Sequence, residues 1–395
     1  MNSDFEFIAG EMEQQDYYKC FIPNAVNHPF KFSDERIYTL LEEASYNLGQ
    51  LNELAKQPCI GIFSSMLVLK EAFNSNQIEG TNVEFGEVIL QEKDKKIDFK
   101  QITNLAETIN IFFEVNENTE IFSEKFLKKV HKQLFSGLKR EEQFAGKIRD
   151  IQNFIGGTNL KDARFIPPPH YKVKELLNDL NEFWKTEKLE IPILIKIAVS
   201  HYQFETIHPF IDGNGRLGRL LINLQLKNKK KLIFPILGIS DFFNNNKDEY
   251  YNSLMSVRTS NDIEFWIRFF LNAVNETAKK RTQTLTDIMK LRDDSRDKIR
   301  ENFKNVHVYF ELLDFLMEDA PFVAVKDVGD KFKITYQGAN KLINNFINIG
   351  ILEVDSAYKR NRRFVFRNYY DLLFNKKEFG TDLKVVIKKE KKESI

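Results

Sequence analysis

The chain has 395 residues, enough for about two to three domains at roughly 150 residues each. Its 58 lysines and arginines stand against 57 aspartates and glutamates, a net charge of +1, which excludes a blanket electrostatic attraction to nucleic acid or acidic membrane. The 2 cysteines, Cys20 and Cys59, cannot build a disulfide framework or a four-cysteine zinc site, and read as free thiols of a cytoplasmic protein.

The opening MNSDFEFIAGEMEQQD is acidic and lacks the basic and apolar regions of a signal peptide. From Ser33 to Lys56, Ile37, Leu40, Leu41, Ala44, Leu48 and Leu51 follow helical spacing, with Ser33 as a candidate cap. The apolar runs IGIFSSMLVL and, later, IPILIKIAV fall short of the about 20 residues a membrane helix needs, so no membrane span is expected. Further helices are predicted over Asp98–Val115, Ser123–Phe135, Lys172–Lys185, Ile193–Phe204, Arg216–Lys227 and Ile263–Ala278. The stretch 146–169, GKIRDIQNFIGGTNLKDARFIPPP, interrupts them. Its glycine pair and three prolines predict two short extended segments around a loop, a hairpin-like flap.

Residues 276–300 read as a charged helical linker, and the style then changes. A helix is predicted over Glu301–Met317, then a helix-turn-helix pair over Val323–Asp330 and Thr335–Ile349, with Gly350 as C-cap. ILEVDSAYKRNRRFVF follows as two strands around a basic turn, completing a winged-helix module, and 381–395 is a charged tail. The wing carries Lys359, Arg360, Arg362, Arg363 and Arg367, whereas the second helix of the pair carries only Lys341. Major-groove readers need donors on that helix, so DNA is the weaker partner expectation and target docking or oligomer contacts the stronger.

The segment His208-Pro-Phe-Ile-Asp-Gly-Asn-Gly-Arg-Leu-Gly-Arg219 carries the chemistry. Gly213, Gly215 and Gly218 satisfy a dinucleotide fingerprint, but a helix and HPFID precede them instead of a buried strand, so that reading is rejected. Asn214 and its flanking glycines form a tight loop ahead of a helix, where backbone N–H groups collect into an anion site. Arg216 and Arg219 share a helical face, and their forks suit phosphate oxygens. Asp212 is a hard donor suited to Mg²⁺, and His208 is a candidate general base. His201 lies seven residues before His208 but has no third ligand near it in sequence, so a packed helix histidine is expected rather than zinc.

These residues meet every fixed position of H-x-F-x-[D/E]-G-N-G-R-x-x-R, and the chain resembles the Fic family, which transfers AMP from ATP to protein hydroxyls. The resemblance spans about 60–275 and includes the flap. It implies a mainly α architecture: an N-terminal helical region (1–95), a Fic-type helical core with a small β-hairpin flap (96–275), the linker and a winged helix (301–380). It implies ATP and Mg²⁺ as cofactors, His208 as the base, and Asp212 as the metal ligand. Gly213, Asn214, Gly215, Arg216, Leu217, Gly218 and Arg219 are implied on the nucleotide, with Arg219 at the γ-phosphate, while Phe242 and Tyr251, by their position after the motif, are expected either near adenine or in core packing. Phe165 and Ile166 of the flap are implied in docking a protein target that bears a Tyr, Ser or Thr hydroxyl. A homodimer is compatible with the family's helical surfaces.

EAFNSNQIEGTNV contains Ser75-x-x-x-Glu79-Gly80, with the carboxylate one position too late for a capping box. It resembles the [S/T]-x-x-x-E-[G/N] inhibitory helix of Fic proteins, expected over about 60–82. By that resemblance Glu79 pairs with Arg219 and denies it to the γ-phosphate. Removal of AMP, transfer of another phosphate-containing group, and a DNA-binding regulator are the alternative functions.

Overall fold

The computed structural model describes residues 7–89, 96–318, 321–355 and 362–374, and it is mainly helical. Two strands open it, β1 (Gly10–Gln14) and β2 (Lys19–Pro23), followed by α1 (Arg36–Leu54), α2 (Ile60–Ile78), α3 (Phe85–Ile89), α4 (Lys96–Phe112) and α5 (Glu124–Leu134). Helices α6 (Val173–Lys185), α7 (Ile193–Ile207), α8 (Asn214–Asn228), α9 (Ile239–Asn245), α10 (Lys247–Ser260) and α11 (Ile263–Asn302) come next. The C-terminal part contains α12 (His307–Glu318), β3 (Phe322–Ala324), α13 (Val325–Phe332), α14 (Tyr336–Asn348), β4 (Glu353–Val354), β5 (Arg363–Val365) and α15 (Arg367–Leu373).

The chain groups into two compact units, one from 1–56, 68–85 and 92–281, the other from 57–67, 86–91 and 282–395. In the first, α7 and α8 are the central helices. All but the first residue of α7 is buried, and Trp266 donates from Nε1 to the Ala198 carbonyl at 2.8 Å. Ser123 caps α5, accepting from the Phe126 N–H, as its sequence predicts. Ser33 does not cap α1. Its hydroxyl turns instead to the Glu264 carboxylate, and Asp34 accepts the Arg36 N–H.

Sequence patterning missed β1 and β2, which pair antiparallel with Gly10 opposite Pro23 and Gln14 opposite Lys19. The flap is less regular than two strands. A single bridge joins Ile155 to Phe165, each N–H donating to the other's carbonyl, at 2.8 and 3.1 Å. Its loop closes on the Asp162 carboxylate, which accepts from the Thr158 and Asn159 N–H groups. The three prolines after Ile166 have no N–H with which to extend a ladder.

The predicted helix over 263–278 and the linker are one 40-residue helix, α11. In the second unit, the helix predicted from Glu301 instead begins at His307, and Thr335 caps α14 by accepting from the Gly338 N–H. A third strand, β3, joins the two expected ones in a sheet ordered β3-β5-β4, all antiparallel. Leu312, Leu316, Val328, Ile343, Phe346 and Val365 form its core, and the Tyr369 hydroxyl donates to the Met317 carbonyl. Lys359, Arg360 and the tail 381–395 lie outside the described residues.

Candidate active site

Helix α7 stops at His208, whose backbone is left-handed (φ 50°, ψ 62°) and whose N–H closes on the Phe204 carbonyl. That conformation turns the chain sharply into the loop Pro209–Gly213 while keeping the imidazole at the helix end. His208 Nδ1 lies 3.3 Å from the Glu205 carbonyl oxygen, which can only accept. The ring proton therefore sits on Nδ1 and the Nε2 lone pair is left for a reactant. Burial pushes the imidazole down to about 3, so it is neutral near pH 7.

The loop is held from several sides. Asn214 accepts the Phe210 N–H on Oδ1 and donates Nδ2 to the Phe210 carbonyl, both at 2.9 Å. His131 of α5 accepts the Gly146 N–H on Nδ1 and so donates Nε2–H to the Asp212 carbonyl at 2.9 Å. Its ring stacks on Phe210 at 3.8 Å, and burial lowers its pKa to about 4. Buried Arg149 gathers the carbonyls of His208 (2.9 Å), Ile151 (3.2 Å), Ile207 (3.3 Å) and Pro168, and its own N–H reaches Pro209. It thus ties the flap to the end of α7. Sequence reading assigned no role to His131 or Arg149. The only signals were a histidine in the last turn of α5 and the arginine of GKIR.

Gly213 caps α8 with φ 81°, and a Cβ there would sit 2.8 Å from the Phe135 ring. The N–H groups of Asn214, Gly215 and Arg216 precede the first intrahelical bond, Leu217 N–H to the Gly213 carbonyl, and point toward any anion at the helix start. Leu217 is buried with its N–H already used, so it offers a ligand neither group. Arg216 is buried over Phe135, its Nη2 3.3 Å from Asp212 Oδ2, and its Nε has no partner among the described residues. The Asp212 side chain is half-exposed, and Oδ1 accepts the Gly213 N–H at 2.6 Å.

Ser75 and Glu79 both meet Arg219. Arg219 is 1% exposed, with Nε on the Ser75 hydroxyl (2.9 Å) and Nη2 on the Ser75 carbonyl (2.8 Å) and Glu79 Oε1 (2.6 Å). Helix α2 ends at Ile78, so Glu79 stands in the turn beyond it, before Gly80 with φ 92°. Burial would raise the Glu79 pKa, but Arg219 outweighs it and the pKa falls. Glu79 also crowds the Gly215 Cα, where a Cβ would be 2.3 Å from Oε1.

Tyr251 lies in the field of Glu79, Arg219 and Glu205, its phenol raised first by burial. Phe242 packs edge-on against Phe269 at 5.7 Å. Phe165 and Ile166 are both buried. Phe165 spends its N–H and carbonyl on Ile155, and the Ile166 carbonyl accepts from the Phe21 N–H of β2. His201 is an interior histidine, between the Gly218 carbonyl and the Tyr250 hydroxyl. Among the described residues no group of three or more His, Cys, Asp or Glu side chains could hold a metal. Asp212 alone would offer a carboxylate, which suits Mg²⁺ completing its shell with phosphate oxygens and water.

A neutral imidazole at a helix end, a locked loop and a helix start with two arginines are an arrangement whose donors suit phosphate oxygens. Residues 121–226 match the Fic/DOC family and residues 38–112 match the Fic/DOC family N-terminal region, so a Fic/DOC domain with that region before it lies within the chain. A probable protein adenylyltransferase of Aquifex aeolicus is 28% identical over 166 residues, covering 41% of this chain and 48% of that protein. Protein adenylyltransferase fic-1 of Caenorhabditis elegans is 33% identical over 128 residues, covering 32% and 22%. The chain thus spans about half of the first relative and about a fifth of the second. A Fic family protein from Desulfovibrio desulfuricans shares the fold with a TM-score of 0.57 at 20% identity, over 86% of this chain and 98% of that one.

Proposed function

We propose that the chain is a protein adenylyltransferase, moving AMP from ATP to a Tyr, Ser or Thr hydroxyl of a protein and restrained by Glu79. The carrying observation is a neutral His208 with Nε2 unengaged, on the same loop and helix whose Arg219 is occupied by Glu79. The names of the Aquifex and Caenorhabditis relatives support the reading. In the proposed step the target oxygen bonds to the α-phosphorus, the bond to the bridging oxygen of pyrophosphate breaks, and the hydroxyl proton passes to His208 Nε2. The first N–H groups of α8 and the Arg216 fork hold phosphate oxygens, and Arg219 takes the γ-phosphate once Glu79 leaves. Asp212 would hold Mg²⁺, which when bound neutralises phosphate charge.

Residues 96–275 form the proposed catalytic core, and 301–380 a winged helix whose role we assign to target docking. Two free thiols favour the cytoplasm, and no described helix is long and apolar enough to cross a membrane. Among the described residues nothing favours a homodimer or DNA as partner. Removal of AMP is the second reading, because Glu79 is ionised and partly exposed and could orient a water.

Purified protein incubated with ATP and Mg²⁺, alone and with cell lysate, tests this by intact mass. Glu79→Gly should gain covalent AMP, wild type little, and Glu79→Gly/His208→Ala about 10²–10⁴-fold less than Glu79→Gly. Equal labelling with and without His208 overturns the mechanism, and loss of AMP from pre-modified protein would select the second reading.

A further inference from the structure

Among the buried acids that the mechanism above leaves unused, Glu205 is next to its machinery. Glu205 sits on α7, one turn before His208, and is 7% exposed. Its Oε1 has no hydrogen-bond partner among the described residues. It presses on α8 so closely that a Cβ at Gly218 would lie 2.1 Å from that oxygen. The titratable and charged groups around it come from four elements: on α7 His201 beside Gly218, and after it His208 at the Glu205 backbone carbonyl; Arg219 on α8; Glu79 beyond α2; and Tyr250, Tyr251 and Arg258 on α10. Both histidines are held neutral by burial, and both tyrosines are raised by burial, so none of these four carries charge near pH 7. Arg258 donates Nε to the Thr206 hydroxyl and lies over the Phe165 ring at 3.9 Å.

Glu79 and Glu205 therefore share the field of Arg219, but only Glu79 makes a hydrogen bond to it. When two carboxyls share a cation in a dry site, the one in contact ionises and the other keeps its proton. Glu205 follows this pattern: burial pushes it up to about 7, and the Glu79 charge adds to the rise. If Glu79 swings away, Arg219 becomes a buried cation with no contacting carboxylate, which is costly unless a nearby acid ionises.

We propose that Glu205 is a positioning residue for Arg219, keeping its proton while Glu79 or an anionic ligand occupies the guanidinium and releasing it to solvent when neither does. The proposal rests on Arg219 being the arginine that receives the nucleotide's terminal phosphate. Its consequence is that opening the inhibitor expels a proton and arrival of a polyphosphate takes one up. The reaction is only the dissociation of the Glu205 carboxyl and its reversal, so no co-reactant is needed. Nucleotide binding to the open form would then weaken as pH rises through the Glu205 midpoint. The ionised carboxylate competes for Arg219 and must be reprotonated before the ligand is held.

The test is a carboxyl ¹³C NMR titration of the full chain labelled at glutamate, from about pH 5 to 9, on wild type, Glu79→Gly and Glu205→Gln. One carboxyl of wild type should titrate near 7 and be missing from Glu205→Gln. In Glu79→Gly that midpoint should fall by about one unit or more, and ATP added without metal should restore it. No glutamate titrating above pH 6 in wild type, or a midpoint unmoved by Glu79→Gly, overturns the proposal. Both readings need no nucleotide and no Glu205 variant. A midpoint that responds to Glu79→Gly but not to ATP overturns the ligand half of the proposal and counts against the adenylyltransferase reading.

Discussion

The loop around His208 and the turn carrying Glu79 face each other across Arg219, but they are held very differently. The loop is fixed by buried groups from three directions: Arg149 from the flap, His131 from α5 and Asn214 from α8. Glu79 meets the site through one carboxylate oxygen on one guanidinium nitrogen and remains 38% exposed. A device that must open needs a cheap contact, whereas a surface that must hold a transition state needs many. Ser75, within α2, anchors Arg219 through both its hydroxyl and its carbonyl, so the arginine stays oriented while Glu79 is the replaceable partner.

Three substitutions break or sharpen this contrast. Arg149→Ala should act most strongly, since it leaves the carbonyls of Ile207, His208 and Pro168 without a buried donor. A loss of roughly 3 kcal/mol in stability is expected from several charge-assisted bonds, with AMP transfer in the Glu79→Gly background reduced about 100-fold. Urea unfolding and single-turnover rates would check both, and Arg149→Lys should not restore them because one ammonium cannot span the same fork. Full activity in Arg149→Ala would show that the flap does not position His208.

Asn214→Ala comes second. It removes two reciprocal bonds to the buried Phe210 peptide groups, for about 1–2 kcal/mol. Thermal unfolding with nucleotide absent isolates this loss, and an unchanged midpoint would mean the loop is held without Asn214. The smallest effect is expected for stability in Glu79→Gly, within about 1 kcal/mol of wild type, because a partly exposed ion pair contributes little. A loss of several kcal/mol there would make Glu79 a structural residue and end the contrast.

The readable part of the site is the part contiguous in sequence. His208 through Arg219 carry chemistry in a fixed spacing, and Ser75-x-x-x-Glu79 sets two side chains on one side of a helix end. Most helices were legible because their apolar faces repeat at helical spacing, as α1 shows with Ile37, Ala44, Leu48 and Leu51 buried. Arg149 and His131 were not legible, because each acts on backbone carbonyls of a segment far along the chain. Glu205 is similar: it reads as one more polar residue of α7, and only its approach to Gly218 and its place in the field of Arg219 give it meaning. Strands β1 and β2 escaped for a related reason. They are short, and β2 finds one partner in the distant Ile166 carbonyl.

The left-handed backbone at residue 208 has a consequence for chemistry by substitution. Only a few side chains accept φ near 50° readily, with glycine and asparagine foremost and β-branched residues worst. The polypeptide filters the vocabulary of this position before any proton moves. Replacements such as valine or threonine would report backbone strain as much as a missing imidazole. Asparagine removes the base yet suits the turn, and is therefore the cleaner probe of what the imidazole alone contributes.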